Sequence, residues 1–297
     1  RRDGVHVVTP RPAGDDTFRG ALLVGAADVL ELPAAEGWVT ELLTDAADHA
    51  ATPSDGARAS EPARTIGVVA GSGGAGATTL ACAIALTAAR TRRVSLVDLD
   101  PLGPGVDRVV GLDGAGGTRW DGLVTSPGRL GARSLRAALP AVGGLAVLTW
   151  GPGRPVGLEA GTVREVLSAA RRGDEVVVVD LPRALDQVTA EVVTRCDRVV
   201  VVADPTVPGI ASAGRVLAGL RALCVVLGLA VRDGPATVPA QHAAAALDLP
   251  LVAVVPRHRR LAEHVDLGLG PVHGARSALS RAAGACLAEP WPEGPPR

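Results

Sequence analysis

Four amino acids are missing from this 297-residue chain: lysine, asparagine, tyrosine and methionine. All 30 basic residues are therefore arginine, and 31 acidic residues balance them, so no excess of positive charge favours nucleic acid. One phenylalanine and four tryptophans are too few aromatic rings for a surface that stacks bases. We therefore expect no nucleic-acid partner.

Long apolar runs and paired cysteines are also missing. No stretch of 18 apolar residues could span a membrane, no signal peptide is recognisable, and the four cysteines form no CxxC pair. Scattered cysteines in apolar sequence are typical of buried thiols in a reducing compartment. The sequence therefore predicts a cytoplasmic protein, and its bias towards Ala, Gly, Val and Arg indicates a GC-rich genome such as that of an actinobacterium.

The chain is long enough for one large α/β domain and a smaller piece. Residues 1–48 resemble the last two βα units of a receiver domain whose earlier strands are missing, and we expect a docking or dimerisation module there rather than a phosphorylation switch. The predicted elements are a strand at 6–9, a helix at 16–25, a strand at 28–32 and a helix at 36–48. Residues 49–64 are rich in Ala, Ser, Pro and charge, which is typical of a linker. The large domain occupies residues 65–297.

A βαβ unit organises the large domain. Its first predicted elements are a buried strand at 66–70 and a glycine-rich turn at 71–76. An apolar helix follows, which begins with Thr78 and Thr79 and runs to about Arg90. A second strand is predicted at 94–97, followed by Asp98 and Asp100. Glycines let backbone N–H groups approach a phosphate, and a helix N-terminus favours negative charge. The unit therefore predicts a nucleotide-binding site.

Further valine-rich runs predict the rest of the sheet. The predicted strands are 145–149, 175–179, 198–203, 222–229 and 251–255, with helices at 158–172, 211–220 and 275–288. Near-continuous apolar runs are typical of parallel strands that are covered on both faces. We therefore predict an α/β fold with a doubly wound, mostly parallel sheet.

The glycine turn has three interpretations. Gly71, Gly73 and Gly76 satisfy the GxGxxG pattern, and Asp98 follows at the distance of a ribose-binding acid, which would indicate a dinucleotide site. A turn that only lets a helix and a strand pack closely is the second interpretation. The third is a phosphate-binding loop that holds a nucleoside triphosphate or diphosphate.

Three motifs in order favour the third interpretation. The window GSGGAGATT resembles the KGGxGKTT loop of the MinD/ParA family of deviant Walker A ATPases, with Ser72 and Ala77 in place of its two lysines. The segment VSLVDLDPLGPGVDRVVGLD resembles the acid-bearing switch I of that family, with Asp98 and Asp100 at its two acids. The strand EVVVVD resembles its Walker B strand and ends on Asp180. The resemblance implies a P-loop NTPase fold of the MinD type, preceded by a truncated receiver-like piece.

The resemblance also implies a ligand, ATP or ADP with Mg²⁺, and the residues that hold it. Thr78 and Asp180 are the expected Mg²⁺ ligands, and Asp100 is expected to orient the attacking water in an active enzyme. The family commonly recognises adenine with an Asn, which this chain lacks, so backbone groups at 256–260 are expected to cover the base. The implied nucleotide-binding residues are Gly71, Ser72, Gly73, Gly74, Ala75, Gly76, Ala77, Thr78, Thr79, Asp98, Pro256 and Arg257.

Loss of both lysines predicts weak nucleotide binding and little or no hydrolysis. In the family that the chain resembles, one lysine binds the β- and γ-phosphates and the other reaches across a dimer. One charge-assisted hydrogen bond contributes roughly 1.5–3 kcal/mol, so its loss weakens binding about 10- to 100-fold. The alternative is an active ATPase that cycles between monomer and dimer, with Arg93 or another arginine as a substitute cation.

A lysine-free loop joined to a truncated receiver-like piece resembles, more narrowly, the CpaE/TadZ-like group and its actinobacterial septum-site-determining members. The resemblance implies a regulator that acts by localisation, in septum placement and cell division or in the assembly of a Tad/Flp pilus or secretion machine. We expect a homodimer, partners from those machines and recruitment by them to membrane, pole or septum. The tail helix is short and only mildly apolar, so we expect it to pack internally, with at most peripheral membrane association.

Overall fold

The computed structural model describes residues 5–10, 12–26, 28–36, 39, 63–124, 130–223, 226–234, 238–272, 274–288 and 290–291. The chain divides into two compact units, one of Arg1–Ala57 with Gly128–Arg133 and one of Arg58–Pro127 with Ser134–Arg297. Each unit has a sheet of its own.

The smaller unit contains two parallel strands joined by a helix. Strand β1 (His6–Thr9) is followed by helix α1 (Asp15–Leu23) and strand β2 (Asp28–Glu31). The predicted strand–helix–strand order is therefore confirmed. The helix predicted at 36–48 and the linker predicted at 49–64 lie almost wholly outside the described residues.

The larger unit is built on a sheet of eight strands within the described residues. In chain order they are β3 (Arg64–Ala70), β4 (Val94–Asp98), β5 (Ala141–Val142), β6 (Leu145–Leu148), β7 (Val176–Leu181), β8 (Arg198–Ala203), β9 (Val226–Arg232) and β10 (Leu251–Val255). In space they follow the order β10–β9–β8–β3–β7–β4–β6–β5. All pairs are parallel except that of the edge strand β5 with β6, so the predicted mostly parallel sheet is confirmed.

Helices connect these strands. Among the described residues from 63 onwards they are α2 (Ala77–Ala88), α3 (Val106–Val109), α4 (Trp120–Val124), α5 (Ala132–Ala138), α6 (Ala160–Gly173), α7 (Gln187–Val193), α8 (Val207–Arg221), α9 (Ala240–Leu247), α10 (Leu261–Asp266) and α11 (Ala278–Leu287). The short strand β5 and the short helices carry no sustained hydrophobic period, and the sequence analysis did not predict them.

The central strands have both faces buried, as their valine runs predict. Every residue of β7 and of β8 is buried, and β3 and β4 are buried along nearly their whole length. Helices α2 and α11 pack on one face of the sheet in a single apolar cluster, while α6, α7 and α8 cover the other. The doubly wound architecture is therefore confirmed.

One predicted strand is misplaced. The strand expected at 222–229 lies at Val226–Arg232, because Ala222 and Leu223 complete the last turn of α8, where the Leu223 amide donates to the Leu220 carbonyl oxygen (2.9 Å). Helix α8 also begins four residues before its predicted start, because the hydroxyl of Thr206 caps it. As a result, β9 ends on Arg232 at the same edge of the sheet as the glycine turn.

The C-terminal helix packs inside the larger unit. The hydroxyl of Ser277 caps α11 by accepting from the amide of Ser280 (3.1 Å). Leu279, Ala283 and Cys286 then enter the apolar cluster that α2 shares. In the residues that the structure describes, no helix has the length and apolar character needed to cross a membrane.

Gly71 lets β3 pass close beneath α8. A Cβ placed on Gly71 would lie 2.7 Å from the Cβ of Ala213 and 3.2 Å from the carbonyl oxygen of Val202. Backbone atoms of two packed elements cannot move aside cheaply, so only glycine fits here. Gly73, two residues further on, has no heavy atom within 4 Å of such a Cβ.

Gly71→Ala is therefore expected to lower the free energy of unfolding by about 1–3 kcal/mol, because the added methyl group overpacks the contact with α8. Urea denaturation measures this change. The matched control, Gly73→Ala, is expected to change stability by less than about 0.5 kcal/mol, since it projects into open space. Equal stability of the two variants would contradict the close approach of β3 and α8.

Candidate functional site

The glycine turn connects β3 to α2 at the carboxyl edge of the sheet, with β7 and β8 on either side. The backbone φ angle is +74° at Gly74 and +93° at Gly76, a region that L side chains rarely adopt. A Cβ on Gly73, Gly74 or Gly76 would meet no atom within 4 Å. The turn is therefore a sharply bent backbone whose surroundings are open to a ligand.

Helix α2 starts directly after this turn. Gly76 is its N-cap and Ala77 its first residue, and no side chain caps this end. The first amide groups of a helix lack intrahelical acceptors and carry a partial positive charge. An uncapped helix end that follows an open glycine turn is the usual geometry for binding a phosphate.

The two positions that correspond to the lysines of the MinD/ParA motif hold small side chains. Ala77 is only 6% exposed and belongs to the apolar core. Ser72 is partly buried, and its hydroxyl donates to a carboxylate oxygen of Asp204 (3.5 Å). Arg93, an expected substitute cation, precedes β4 at the opposite edge of the sheet, separated from Asp98 by about 16 Å of extended chain. Arg93, which the active-ATPase alternative offers as one substitute cation, is therefore not placed at the glycine turn.

Two aspartates lie side by side at the ends of neighbouring strands. Asp98 on β4 is paired in register with Asp180 on β7, and the two residues are 1% and 2% exposed. The carboxylate of Asp98 accepts hydrogen bonds from the Thr149 hydroxyl (2.7 Å) and from the amides of Asp100 (3.1 Å) and Val106 (3.3 Å). Burial nevertheless raises the pKa of Asp98 to about 6. Both carboxylate oxygens of Asp98 are thus engaged in holding the segment that follows β4.

The surroundings of Asp180 stabilise its ionised form less than those of Asp98 do. Burial raises the pKa of Asp180 to about 8, the neighbouring carboxylates of Asp98 and Asp100 contribute to the rise, and a hydrogen bond from the Thr78 hydroxyl opposes it. Thr78 is the second residue of α2, so the buried acid lies next to the start of this helix. At neutral pH the Asp180 carboxyl is stable either with a proton or beside a cation.

Thr78 and Asp180 fit a Mg²⁺ ion, which prefers oxygen ligands and keeps several of them from water and phosphate. A cation at this point also offsets the concentrated negative charge that raises the pKa of Asp180. Within the part of the chain that the structure describes, no three His, Cys, Asp or Glu side chains are grouped to hold a metal ion. With Thr78 and Asp180 as its protein ligands, a Mg²⁺ ion would take phosphate and water oxygens as its other ligands and would supply positive charge next to a phosphate.

The segment after β4 carries Asp100, which is partly buried. Its carboxylate accepts a hydrogen bond from the Leu102 amide (3.1 Å). The buried Trp120 donates from Nε1 to the carbonyl oxygen of Asp98 (2.7 Å) and so fixes the end of β4. The sequence analysis did not identify Trp120 or Thr149 as supports of the site, because an isolated tryptophan or threonine forms no recognisable motif.

A cavity of about 280 Å³ lies at the ends of β8, β9 and β10, and Arg257 lines it together with Asp204, Thr206 and Arg232. Pro256 directly follows β10 at the same edge of the sheet. The turn expected to cover a base is therefore near a cavity. Of the other implied binding residues, Ala75 is buried and Thr79 is partly buried in the first turn of α2.

Arg232 is a further residue at the site that the sequence motifs did not predict. Its Nη1 donates to the carbonyl oxygen of Gly74 in the glycine turn (2.7 Å), and it lies 3.7 Å from a carboxylate oxygen of Asp204. A sequence signal existed, since an arginine that ends a parallel strand faces the ligand edge of the sheet. The predicted strand stopped three residues too early to place it there.

Comparison with known sequences gives a family. Residues 1–54 match the family described as the Rv3660c-like, CheY-like N-terminal domain. The chain is 39% identical over 284 residues to Rv3660c of Mycobacterium tuberculosis (strain ATCC 25618 / H37Rv), described as an uncharacterized protein, across 95% of this chain and 78% of that one.

Comparison with solved structures gives the fold. A ParA family ATPase from Chlorobium tepidum TLS superposes with a TM-score of 0.66 at 17% identity, over 76% of this chain and 98% of that one. The MinC:MinD cell division protein complex of Aquifex aeolicus gives 0.64 at 20% identity, over 75% and 93%. The septum site-determining protein MinD of Pyrococcus horikoshii OT3, complexed with Mg-ADP, gives 0.60 at 20% identity, over 75% and 94%. This chain therefore contains the P-loop NTPase fold of the MinD and ParA ATPases.

The raised pKa of Asp180 predicts a pH-dependent stability. Because the pKa of about 8 in the folded protein lies above the ordinary value of 3.8, the folded protein holds a proton that the unfolded chain has released, so the free energy of unfolding falls as the pH rises from about 4 to 8 and levels off above 8. Asp180→Asn has no carboxyl to ionise, so it does not lose this stability at high pH. At pH 9 we expect the variant to have a Tm about 2–4 °C above that of the wild type, which corresponds to a gain of roughly 1 kcal/mol in the free energy of unfolding.

Thermal unfolding at pH 6 and pH 9, without nucleotide or divalent cation, measures this effect. The stabilisation by Asp180→Asn is expected to shrink at pH 6, where the wild-type carboxyl is protonated. The exposed Asp266→Asn serves as the control and is expected to leave the difference between the two pH values unchanged. A Tm difference that is the same at both pH values would contradict the raised pKa of Asp180.

Proposed function

The chain belongs to the same family as Rv3660c of Mycobacterium tuberculosis, and on that premise we propose that it is a regulator that acts by localisation. Its MinD/ParA-type domain binds ATP or ADP with Mg²⁺ at the glycine turn, with low affinity, and hydrolyses ATP slowly or not at all. The observation that carries the proposal is the open turn followed by the uncapped helix α2, with the Thr78–Asp180 pair beside it.

The chain's own residues supply two of the three usual contributions to a phosphate site. Backbone amides of the turn and of the first turn of α2 donate to phosphate oxygens, and the helix end favours their charge. Thr78 and Asp180 hold the metal ion. The third contribution, a lysine of the loop, is absent, since Ala77 and Ser72 offer no cation.

The missing lysines bear more heavily on hydrolysis than on binding. An oriented cation that stabilises developing charge in the transition state contributes a factor of about 100 to 1,000 in rate. Asp100 is the residue proposed to orient the attacking water. A protein with this loop is therefore proposed to act through its bound state rather than through turnover.

The proposed role is placement of a cell-division septum or of a Tad/Flp-type pilus or secretion machine. MinD of Aquifex aeolicus, which shares the fold, was solved in a MinC:MinD complex, which supports a partner of similar kind here. The smaller unit and a homodimer face of the larger one are the proposed contact regions. We propose a cytoplasmic protein whose partners recruit it to membrane, pole or septum.

Two other functions have less support. A dinucleotide site needs a carboxylate for the ribose, but both oxygens of Asp98 are engaged in hydrogen bonds with the Thr149 hydroxyl and backbone amides. An active ATPase remains the alternative within the same fold. ATP turnover by the purified protein that Asp100→Ala abolishes would favour that alternative over the proposal.

The metal and nucleotide site is tested by calorimetry with ATP and ADP. With Mg²⁺, the wild-type protein is expected to bind both at millimolar concentration or below, and Asp180→Ala is expected to weaken binding by about tenfold or more, since a charge-assisted contact is lost. In EDTA the two proteins are expected to bind alike. Asp266→Ala is the control. Equal affinities with Mg²⁺ would contradict the metal site, and no wild-type binding at millimolar nucleotide would contradict the function.

Restoring the loop lysine is the complementary test. Ala77 is buried, so the longer side chain of Ala77→Lys must leave the apolar core and extend towards the turn, and the Tm of the variant checks that it folds. The variant is expected to tighten ATP binding by about 10- to 100-fold, because it adds a charge-assisted hydrogen bond at the start of α2. Ala77→Gln, which is similarly long but uncharged, is the matched control and is expected to bind no more tightly than the wild type. If both substitutions act alike, the loop does not hold phosphate in the manner proposed.

A further inference from the structure

Arg232 reaches the glycine turn from another part of the chain. It is the last residue of β9, while Asp204 directly follows β8, the strand between β9 and β3. In the strand register Val231 lies opposite Ala203, so Arg232 and Asp204 follow side by side. Since β3 leads directly into the turn, the fold brings a basic and an acidic side chain to a loop that has no charged residue of its own.

The contacts of Arg232 place its guanidinium at the turn. Nη1 donates to the Gly74 carbonyl oxygen (2.7 Å), and the distance from Nη1 to Oδ1 of Asp204 is 3.7 Å. The other carboxylate oxygen of Asp204 accepts from the hydroxyl of Ser72 (3.5 Å). Arg232 and Asp204 thus contact both ends of the segment Ser72–Gly74, whose surroundings are open.

The guanidinium keeps donors for a further acceptor. Arginine carries five N–H donors, and the bond to Gly74 uses one of them. The contact with Asp204, at 3.7 Å, is longer than a hydrogen bond, so it is not the paired, bidentate arrangement that occupies an arginine fully. The side chain is 39% exposed, which leaves it accessible to a ligand in the turn.

We propose that Arg232 contributes a cation to the phosphate site from outside the loop: it donates to phosphate oxygens held at the turn and supports their binding there, without supplying the second contact that the loop lysines would make. This inference rests on the proposed function. The bond to the Gly74 carbonyl oxygen orients the guanidinium, and the planar fork suits the oxygens of a phosphate group better than a lysine ammonium would. Arg232 also lines the cavity that Arg257 lines, so it stands between the cavity and the turn.

The test measures binding of Mg²⁺ with ADP, ATP and inorganic tripolyphosphate to the full chain by calorimetry. Arg232→Gln is expected to weaken the binding of all three by about tenfold or more, because one charge-assisted contact to phosphate is lost. Tripolyphosphate has no base or sugar, so its loss of affinity shows that Arg232 acts on the phosphates. Arg215→Gln, an exposed arginine of α8, is the matched control and is expected to bind as the wild type does.

The salt dependence of ligand binding distinguishes a contact between Arg232 and phosphate from a purely structural bond between Arg232 and Gly74. If Arg232 touches phosphate, the dissociation constant of the wild type rises more steeply with salt than that of Arg232→Gln, since one charge pair is removed. Arg232→Lys, which retains the charge, is expected to keep part of the salt dependence. The Tm of each variant checks that it folds.

Three results would overturn the inference. If Arg232→Gln binds all three ligands as tightly as the wild type does, Arg232 does not contact phosphate. A loss of ATP affinity with unchanged tripolyphosphate affinity assigns Arg232 to the base, and a loss with unchanged salt dependence assigns it to the shape of the turn. If the wild type binds none of the three ligands, the proposed function itself fails and this inference fails with it.

Discussion

The larger unit depends on how two buried carboxylates are accommodated. The pairing of β4 with β7 fixes Asp98 beside Asp180, and apolar layers on both faces of the sheet keep water from solvating them. Asp98 is supported by a hydroxyl and two amides, whereas Asp180 receives one hydrogen bond from Thr78, and its pKa rises to about 8. A second negative charge in this place is stabilised by a proton or by a cation, and the proposed metal site lies where β7 ends.

The same constraint links Asp180 to the N-terminal end of α2, where phosphate binding is proposed. Thr78 belongs both to the first turn of the helix and to the environment of Asp180. A metal ion there and an anion at the glycine turn would neutralise each other while filling complementary sites. The proposed binding of a metal together with a phosphate therefore depends on the buried Asp180 and on the backbone of the turn rather than on a lysine of the loop.

The sequence predicts the frame of this arrangement well and its details poorly. Valine runs flanked by glycines and acids were sufficient to predict β3, β4, β8 and β10, because strands buried on both faces tolerate few other residues. The predicted boundary of β9 was wrong, because the apolar residues before this strand belong to the end of α8. The prediction therefore did not place Arg232 at the end of a strand. Contacts such as those of Thr149 and Trp120 with Asp98 join distant parts of the chain, and single residues carry no local pattern that predicts them.

The central claim is that the backbone of the glycine turn and of the start of α2 still holds phosphate although the loop has no lysine. Hydrogen exchange of the segment 71–80, measured with and without Mg²⁺ and millimolar ADP, tests it most directly, with the buried helix α11 as an internal reference. The account predicts that amide exchange of this segment slows when Mg·ADP is added, while that of α11 is unchanged. Exchange of the segment that is the same with and without Mg·ADP would contradict it.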